Sequence, residues 1–531
     1  MTRATTSLTG TATVARFIVR RERVRIVAWV LAVGVLVALL AASVKGLLPT
    51  QADLDQAAAA TTGNAAAIAF NGPVQALDTV GGQVAFQTGA MGLVAVALMN
   101  VLMIGSLTRG EEEAGRLELL RALPLGRHAS TAAAALTVAA MNLAVGVLVT
   151  VAMLGEHLPM AGSVAFGVSF LLTGLLFAGV ALVAAQVTEN TRVVYGIAGA
   201  VLGASFVVRA VGDIGDGTLS WFSPIGVAQK TRPWAGERWW PFLLMLVAIA
   251  VLVAATGTLA AWRDIGAGLV QPRPGPPTAS RGLGRPLGLA LRLQRGSLIG
   301  WSAGLFVTAA AFGSIANSID SFVRDNKALA DVFTPPGGGS LTDSYLATSF
   351  GMLALIGTGF AIQSTLRLRT EETSLHAEAL LATPLSRRRW AMGHLAVAFA
   401  GSAIVLIVSG LAVGVGYALG GGRLSALPGL VGAAVVYAPA MWLLVGFTVA
   451  LVGLAPRAAV AAWAVFAVCL VIGLLGGVLD LPELLMNASP FQHVPHLPGA
   501  ALTVAPLAVL TVIAAGLTLA GLAGLRRRDI G

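Results

Sequence analysis

Long apolar runs alternate with short polar breaks along this chain, and the runs have membrane-crossing length. Stretches of 18 or more residues without charge match a helix passing through hydrocarbon. Twelve are predicted, at 26–47, 86–107, 129–153, 162–187, 194–212, 241–262, 296–317, 345–366, 390–418, 427–453, 459–478 and 500–524. Among the breaks are a polar, Ala-rich stretch (48–85) with Asp53, Asp55 and Asp78, and a segment (213–240) with Trp221, Trp234, Trp239 and Trp240. Tryptophans there suit a membrane–water interface. Residues 263–295, rich in Pro, Gly and Arg, read as a linker.

One polar break is written twice. Arg109–Arg127 reads RGEEEAGRLELLRALPLGR, and Arg369–Arg389 reads RTEETSLHAEALLATPLSRRR. At an offset of 260 residues, Arg109, Glu111, Glu112, Glu118, Leu120, Pro124, Leu125 and Arg127 recur as Arg369, Glu371, Glu372, Glu378, Leu380, Pro384, Leu385 and Arg387. Other marks keep the same order. Trp29 matches Trp301, Arg192 matches Arg457, Ser223-Pro224 matches Ser489-Pro490, and Arg263-Asp-Ile-Gly matches Arg528-Asp-Ile-Gly. The chain therefore reads as two repeats. Each has six spans, an even number, so both enter the membrane from the same side, as parallel repeats do.

Composition agrees: 56% of the residues are hydrophobic and 11% charged, against about 25% charged in soluble domains. The net charge of +10 first suggests nucleic acid. Its placement argues otherwise, because 26 of the 34 Lys and Arg fall on one side of the alternating topology and 8 on the other. That is the positive-inside bias, and it puts both termini in the cytoplasm. No small-residue cleavage site follows the first run, so it reads as a retained span. The lone Cys469 permits no intramolecular disulfide. Residues 1–25 form a basic N-terminal segment. Residues 8–25 read either as an amphipathic surface helix, with Val14, Phe17 and Ile18 in the interface and Arg16, Arg20 and Arg23 on head groups, or as a basic flank that orients the first span.

The stretch Gly110–Leu123 has helix-forming composition. Leu117, Leu120 and Leu123 recur at helical spacing, Glu111 and Glu118 share a face, and Pro124 ends the pattern. Glu371, Glu378, Leu380 and Pro384 repeat the plan. A short amphipathic helix on the inner surface is well placed to pass force from a cytoplasmic partner into the membrane. The alternative is a solvated loop whose glutamates balance arginines.

Glu111, Gly115, Leu117, Glu118, Leu120, Pro124 and Arg127, placed after the second span, resemble the coupling helix of ABC-2 type transporter permeases. In the second copy Leu375 stands for the Gly and Ala377 for the first Leu. The twelve-span layout and the segment Trp221-Phe222-Ser223-Pro224 are similar to the permeases of tetronasin-like or polyketide-antibiotic multidrug exporters. The resemblance implies an all-α polytopic protein with about twelve transmembrane helices, a pseudo-dimer of two parallel six-helix repeats with the ABC-2 type (type V) exporter fold. The first half would be 26–262 with coupling helix 109–127, the second 296–524 with coupling helix 369–389, and 525–531 a basic tail. It further implies two copies of a cytoplasmic ABC ATPase subunit that bind the ATP and Mg. This chain would then hold no cofactor and have no ATPase site of its own, in keeping with the lack of a G-x-x-x-x-G-K-[ST] motif. The ATPase-coupling residues would be Glu111, Glu112, Glu113, Arg116, Glu118 and Arg121, with Glu371, Glu372, Glu378 and Arg387.

In that family the second and fifth spans of each half line the pathway. The candidates there are Met99, Asn100, Met103, Phe206, Phe350, Met352, Phe360, Gln363 and Trp463, because Met and aromatic side chains suit adaptable binding of apolar compounds. Ordinary helix packing is the alternative for each. Charges within the spans are rare, which argues against a proton-coupled carrier. Arg209 is expected to snorkel to the interface and His394 to touch head groups. His493 and His496 offer too few ligands for a metal site. The expected function is export of hydrophobic or amphipathic compounds across a bacterial cytoplasmic membrane. The rivals are a secondary multidrug transporter and a non-transport scaffold.

Overall fold

A computed structural model describes residues 7–62, 65–116, 124–263, 267–270, 277–280, 282–316, 340–475 and 482–528. No strand occurs among them. The chain divides into two compact units, Met1–Pro274 and Gly275–Gly531.

The first unit contains α1 (Thr11–Leu47), α2 (Gln51–Thr61), α3 (Ala65–Asn71), α4 (Val80–Leu107), α5 (Arg109–Glu113), α6 (Ala129–Gly155), α7 (Met160–Val187), α8 (Thr191–Ile214), α9 (Pro224–Gln229) and α10 (Pro241–Trp262). The most enclosed are α4 and α7, while α1 and α10 leave most of their apolar surface outside the unit. Helices in lipid approach closely where side chains are small, and α6 meets α7 at Gly146 and Gly167. A Cβ at Gly167 would lie 2.4 Å from the Gly146 carbonyl oxygen.

The second unit contains α11 (Pro286–Ile315), α12 (Leu341–Thr373), α13 (His376–Leu381), α14 (Arg387–Leu419), α15 (Leu427–Val435), α16 (Ala438–Leu454), α17 (Ala461–Leu475), α18 (Glu483–Met486) and α19 (Val504–Arg527). Its most enclosed helix is α12. Packing again uses small residues: α16 and α19 touch at Gly453 and Gly521, where an added Cβ would lie 1.9 Å from the facing carbonyl oxygen.

Eleven helices, counting α15 with α16 and α4 with α5, are long and apolar enough to cross a membrane among the described residues. The run predicted at 459–478 is the shorter α17, and 476–478 lie outside the described residues.

Several boundaries differ from the sequence expectation, each for a local reason. The basic segment and the first span form one 37-residue helix, α1, because residues 11–33 contain neither Gly nor Pro to break it. Val14 and Ile18 enter the unit's own core, while Phe17, Arg16, Arg20 and Arg23 stay exposed. Likewise α11 begins at Pro286, within the predicted linker, with proline in the first turn where its missing N–H costs nothing. The run at 427–453 breaks between α15 and α16, since Pro439 cannot donate to the carbonyl of Val435. The helix expected over Gly110–Leu123 is interrupted after Glu113 by a turn at Ala114–Gly115, and Arg116 is helical again. Gly115 takes a left-handed conformation (φ +67°), and 117–123 lie outside the described residues.

Candidate functional site

Both copies of the charged element follow a long enclosed helix. In the first, α4 ends at Leu107, Thr108 breaks the geometry, and α5 carries three successive glutamates. Each reaches a different part of the unit. Glu111 accepts two bonds from Arg21 on α1 (2.8 and 3.0 Å) and two from Arg116 (both 3.0 Å). Glu113 accepts from the backbone N–H of Thr191 (2.6 Å), the first residue of α8. A carboxylate there satisfies an orphan donor and meets the positive end of the helix dipole.

Glu112 reaches the end of α10. One of its oxygens takes a bond from Arg109 (2.5 Å) and the other from Arg263 (2.8 Å). Arg109 is 1% exposed, too dry for a free cation. It also donates to the carbonyls of Ala185 (2.5 Å) and Ala267 (3.1 Å). At the far end of the element, Arg127 donates to the carbonyl of Arg263 (2.8 Å).

The second element repeats this last arrangement. Glu372 takes Arg369 on one oxygen (3.1 Å) and Arg528 on the other, and Arg387 donates to the Arg528 carbonyl (2.7 Å). Arg528 directly follows α19 as Arg263 follows α10. The other glutamate differs. Glu371 pairs with Arg367 (2.5 Å) on its own helix and with His376 (3.4 Å). Thr373 stands in place of Glu113 and bonds back to the Arg369 carbonyl (3.0 Å).

Leu375, in place of Gly115, keeps the same left-handed backbone (φ +62°) and is 60% exposed. Glu378 is exposed on α13 and lines an open groove of about 470 Å³ with Leu381, Ala382, Leu385, Ser386 and Arg387. Glu118 and Arg121 lie outside the described residues. So the structure gathers Glu111, Glu112, Glu113 and Arg116 in one unit, and Glu371, Glu372, Glu378 and Arg387 in the other.

The pathway candidates are spread. Met99, Asn100 and Met103 are fully enclosed in the first unit. Asn100 and Asn142 exchange amide hydrogen bonds (2.9 and 2.6 Å) between α4 and α6, and Gly174 leaves room for them. Phe206 meets Phe70 edge-on with ring centroids 6.4 Å apart. In the second unit Phe350 and Phe360 are buried and Met352 is half-buried. Gln363 accepts from the Trp301 indole (2.7 Å), and Trp463 stands edge-on to Phe466 at 5.8 Å.

Two expectations are corrected. Arg209 does not snorkel: it is fully buried near the end of α8. Asp213, one turn on, lies 3.6 Å away, the Ala69 carbonyl accepts from it at 2.6 Å, and the Phe206 ring lies 4.4 Å beneath it. A nearby acid, a helix C-terminus and an aromatic face together hold the cation inside. His394 is likewise buried, with Nδ1 3.2 Å from the Gln294 amide and its ring against Trp390.

The sequence also marked residues whose use only the structure shows. Ser223 caps α9 through the Gly226 N–H (3.2 Å) and lies 2.8 Å from Ser205 on α8. Ser489 stands beside Cys469 on α17 in the matching place. The repeated Arg-Asp-Ile-Gly supplies the arginines that meet Glu112 and Glu372.

Many apolar helices, with charge concentrated in the breaks between them, define a multi-pass membrane protein. Residues 283–526 match the family described as multidrug efflux system permease Rv1217c, C-terminal domain. Over 526 residues the chain is 42% identical to the multidrug efflux system permease protein Rv1217c of Mycobacterium tuberculosis (strain ATCC 25618 / H37Rv), covering 98% of this chain and 95% of that protein. The chain belongs to this family of multidrug efflux system permeases.

Proposed function

We propose that this chain is the membrane-spanning subunit of an ATP-driven ABC exporter that moves hydrophobic or amphipathic compounds out of the cell. The observation that carries this reading is the duplicated charged element. Each copy leaves a long enclosed helix and is tied by the same bonds to the end of its own half. An element so braced can deliver a push from outside the bilayer. Two copies of a separate ATPase, holding ATP and Mg, would dock on the two elements at the cytoplasmic face, where the arginine bias places both termini. The scarcity of charge in the spans suits an apolar cargo, and the Met, Phe and Trp candidates of α4, α8, α12 and α17, from the enclosed Met99 to the exposed Trp463, are the side chains proposed to meet it.

The test uses the full chain reconstituted with its ATPase. The double variant Glu118→Ala with Glu378→Ala is expected to insert normally but to lose drug-stimulated ATP hydrolysis and export. Unchanged export would sink the docking role of the elements. Export by the chain alone, driven by a proton gradient, would replace the ATP-driven reading with a secondary transporter. A complex that neither exports nor responds to drug would leave only the scaffold.

A further inference from the structure

We infer that Arg263 and Arg528 are positioning residues: each fastens the last helix of its half to the charged element, so that α10 and α19 move with the elements. The inference rests on the reading of those elements as docking points for an ATPase, and goes beyond it by assigning Glu112 and Glu372 an internal partner.

The geometry is a closed ring of contacts in each unit. The start of the element supplies Glu112, steadied by Arg109, its end supplies Arg127, and Glu112 and Arg127 converge on one residue. The Arg263 side chain bonds Glu112 (2.8 Å), and its carbonyl accepts from Arg127 (2.8 Å). In the other unit the Arg528 side chain bonds Glu372, and its carbonyl accepts from Arg387 (2.7 Å). Gripping both the side chain and the backbone of one residue fixes its position and its direction. A single surface ion pair does neither.

Both oxygens of each carboxylate are already used, so Glu112 and Glu372 have little left to offer an incoming protein. That leaves Glu378, exposed on α13, and the tip around Leu375 as the outward face of the second element.

The helices at the other end of the ring have the most to gain. Both α10 and α19 leave most of their apolar surface outside their unit. Helices held mainly by lipid-like packing could lag behind an enclosed neighbour. A half-buried arginine held through both its side chain and its carbonyl at the base removes that slack. In the first unit the fastening continues past the helix. Leu269 and Val270 donate to the carbonyls of Gln186 (3.2 Å) and Val187 (2.9 Å) at the end of α7, and Gly268 lies so close that a Cβ would sit 2.8 Å from the Glu189 nitrogen.

The experiment compares Arg263→Gln with Arg528→Gln, and Arg263→Lys with Arg528→Lys, in the full chain with its ATPase in proteoliposomes. The Gln pair is expected to retain the ATPase and its basal hydrolysis within about twofold, while drug-stimulated hydrolysis and export fall about tenfold or more. The Lys pair keeps the charge and is expected to recover at least about a third of the wild-type stimulation. Wild-type stimulation in the Gln pair would overturn the inference, and so would loss of ATPase retention, because the arginines would then serve docking. A second readout is independent of the ATPase: amide exchange at residues 260–263 and 267–270 in the chain alone should quicken about tenfold in the Gln pair. Unchanged exchange would overturn the fastening itself. A wild-type complex without drug stimulation, with the exchange change present, would instead refute the ATP-driven reading and leave the fastening standing.

Discussion

The two charged elements share a sequence plan but not a bracing plan. The first is cross-tied. Its glutamates reach α1 through Arg21, α10 through Arg263 and the start of α8 through Thr191. The second keeps the tie to Arg528 and replaces the others with contacts inside its own segment. Their backbones differ accordingly. A break at Thr108 separates α4 from α5, whereas α12 runs unbroken through Glu371 and Glu372 to Thr373. The first element is a bracket fixed at three points, and the second is an extension of an enclosed helix. Retention of the Glu–Arg tie in both identifies it as the feature common to the two halves.

The same substitution made in each half separates bracket from extension most sharply. Arg109 is 1% exposed and serves a carboxylate and two carbonyls. Arg109→Met leaves Glu112 and the Ala185 carbonyl with Arg263 alone and takes the side-chain donor from the Ala267 carbonyl, and is expected to cost about 3 kcal/mol, the lower end for a buried pair that loses one partner. Arg369 has a third of its side chain exposed, so Arg369→Met is expected to cost about 1 kcal/mol or less, in line with a solvent-screened pair. Unfolding of the two variants in detergent, followed by titration with denaturant, checks the difference. Equal losses would mean that burial does not distinguish the elements.

The enclosed helices offer a second contrast. Where α4 meets α6, Asn100 and Asn142 clasp each other. Where α12 meets α14, Phe360 occupies the place of Asn100 in the repeat and lies against Gly401. A polar clasp and an aromatic wedge thus solve the same packing problem. Asn142→Ala strands a buried amide and is expected to cost about 1 kcal/mol, as interhelical hydrogen bonds in membranes do. Gly401→Ala sets a methyl 2.6 Å from the Phe360 ring and is expected to cost about 1–3 kcal/mol by overpacking. Unfolding free energies of the two single variants test whether the wedge is the less tolerant contact.

Much of the helical layout was legible in the sequence because hydrocarbon imposes one length scale on every span. What escaped was whatever depends on the end of a helix rather than the end of a hydrophobic run. Arg20, Arg21, Arg23 and Arg25 bound the apolar run, yet α1 continues through them because arginine is a good helix former. The charged elements were visible as repeats, but the partners of their glutamates were not. Glu112 and Arg263 are 151 residues apart, and no local pattern joins them. The one signal in the sequence is the repeated Arg-Asp-Ile-Gly, which marks the repeat but not the partner of its arginine. Arg209 shows the same limit on a smaller scale. Asp213, four residues on, was the available hint of burial, while the carbonyls of Ala69 and Phe70 that hold its other side were invisible.

Leu375 gives the mildest contrast and bears most directly on what the second element touches. Leu375 differs from Gly115 in side chain, yet both residues adopt the left-handed conformation. For leucine that conformation costs about 1–2 kcal/mol, and its side chain, 60% exposed, buries little surface to offset the strain. Leu375→Gly relieves the strain but loosens the unfolded chain by a similar amount, so the stability of the chain alone should change by less than about 1 kcal/mol. The reciprocal Gly115→Leu meets no atom of the described residues within 4 Å of its Cβ, so it is expected to cost the conformational strain, about 1–2 kcal/mol. The binding readout should behave differently. If an ATPase covers the second tip, Leu375→Gly should weaken its retention several-fold while leaving the melting of the chain almost unchanged. Gly115→Leu should not strengthen it, because the first tip is positioned by Arg116 and Arg21 through Glu111 rather than by an apolar side chain. Equal retention in wild type and Leu375→Gly would show that the exposed leucine is not a contact, and the asymmetry between the elements would then lie in their bracing alone.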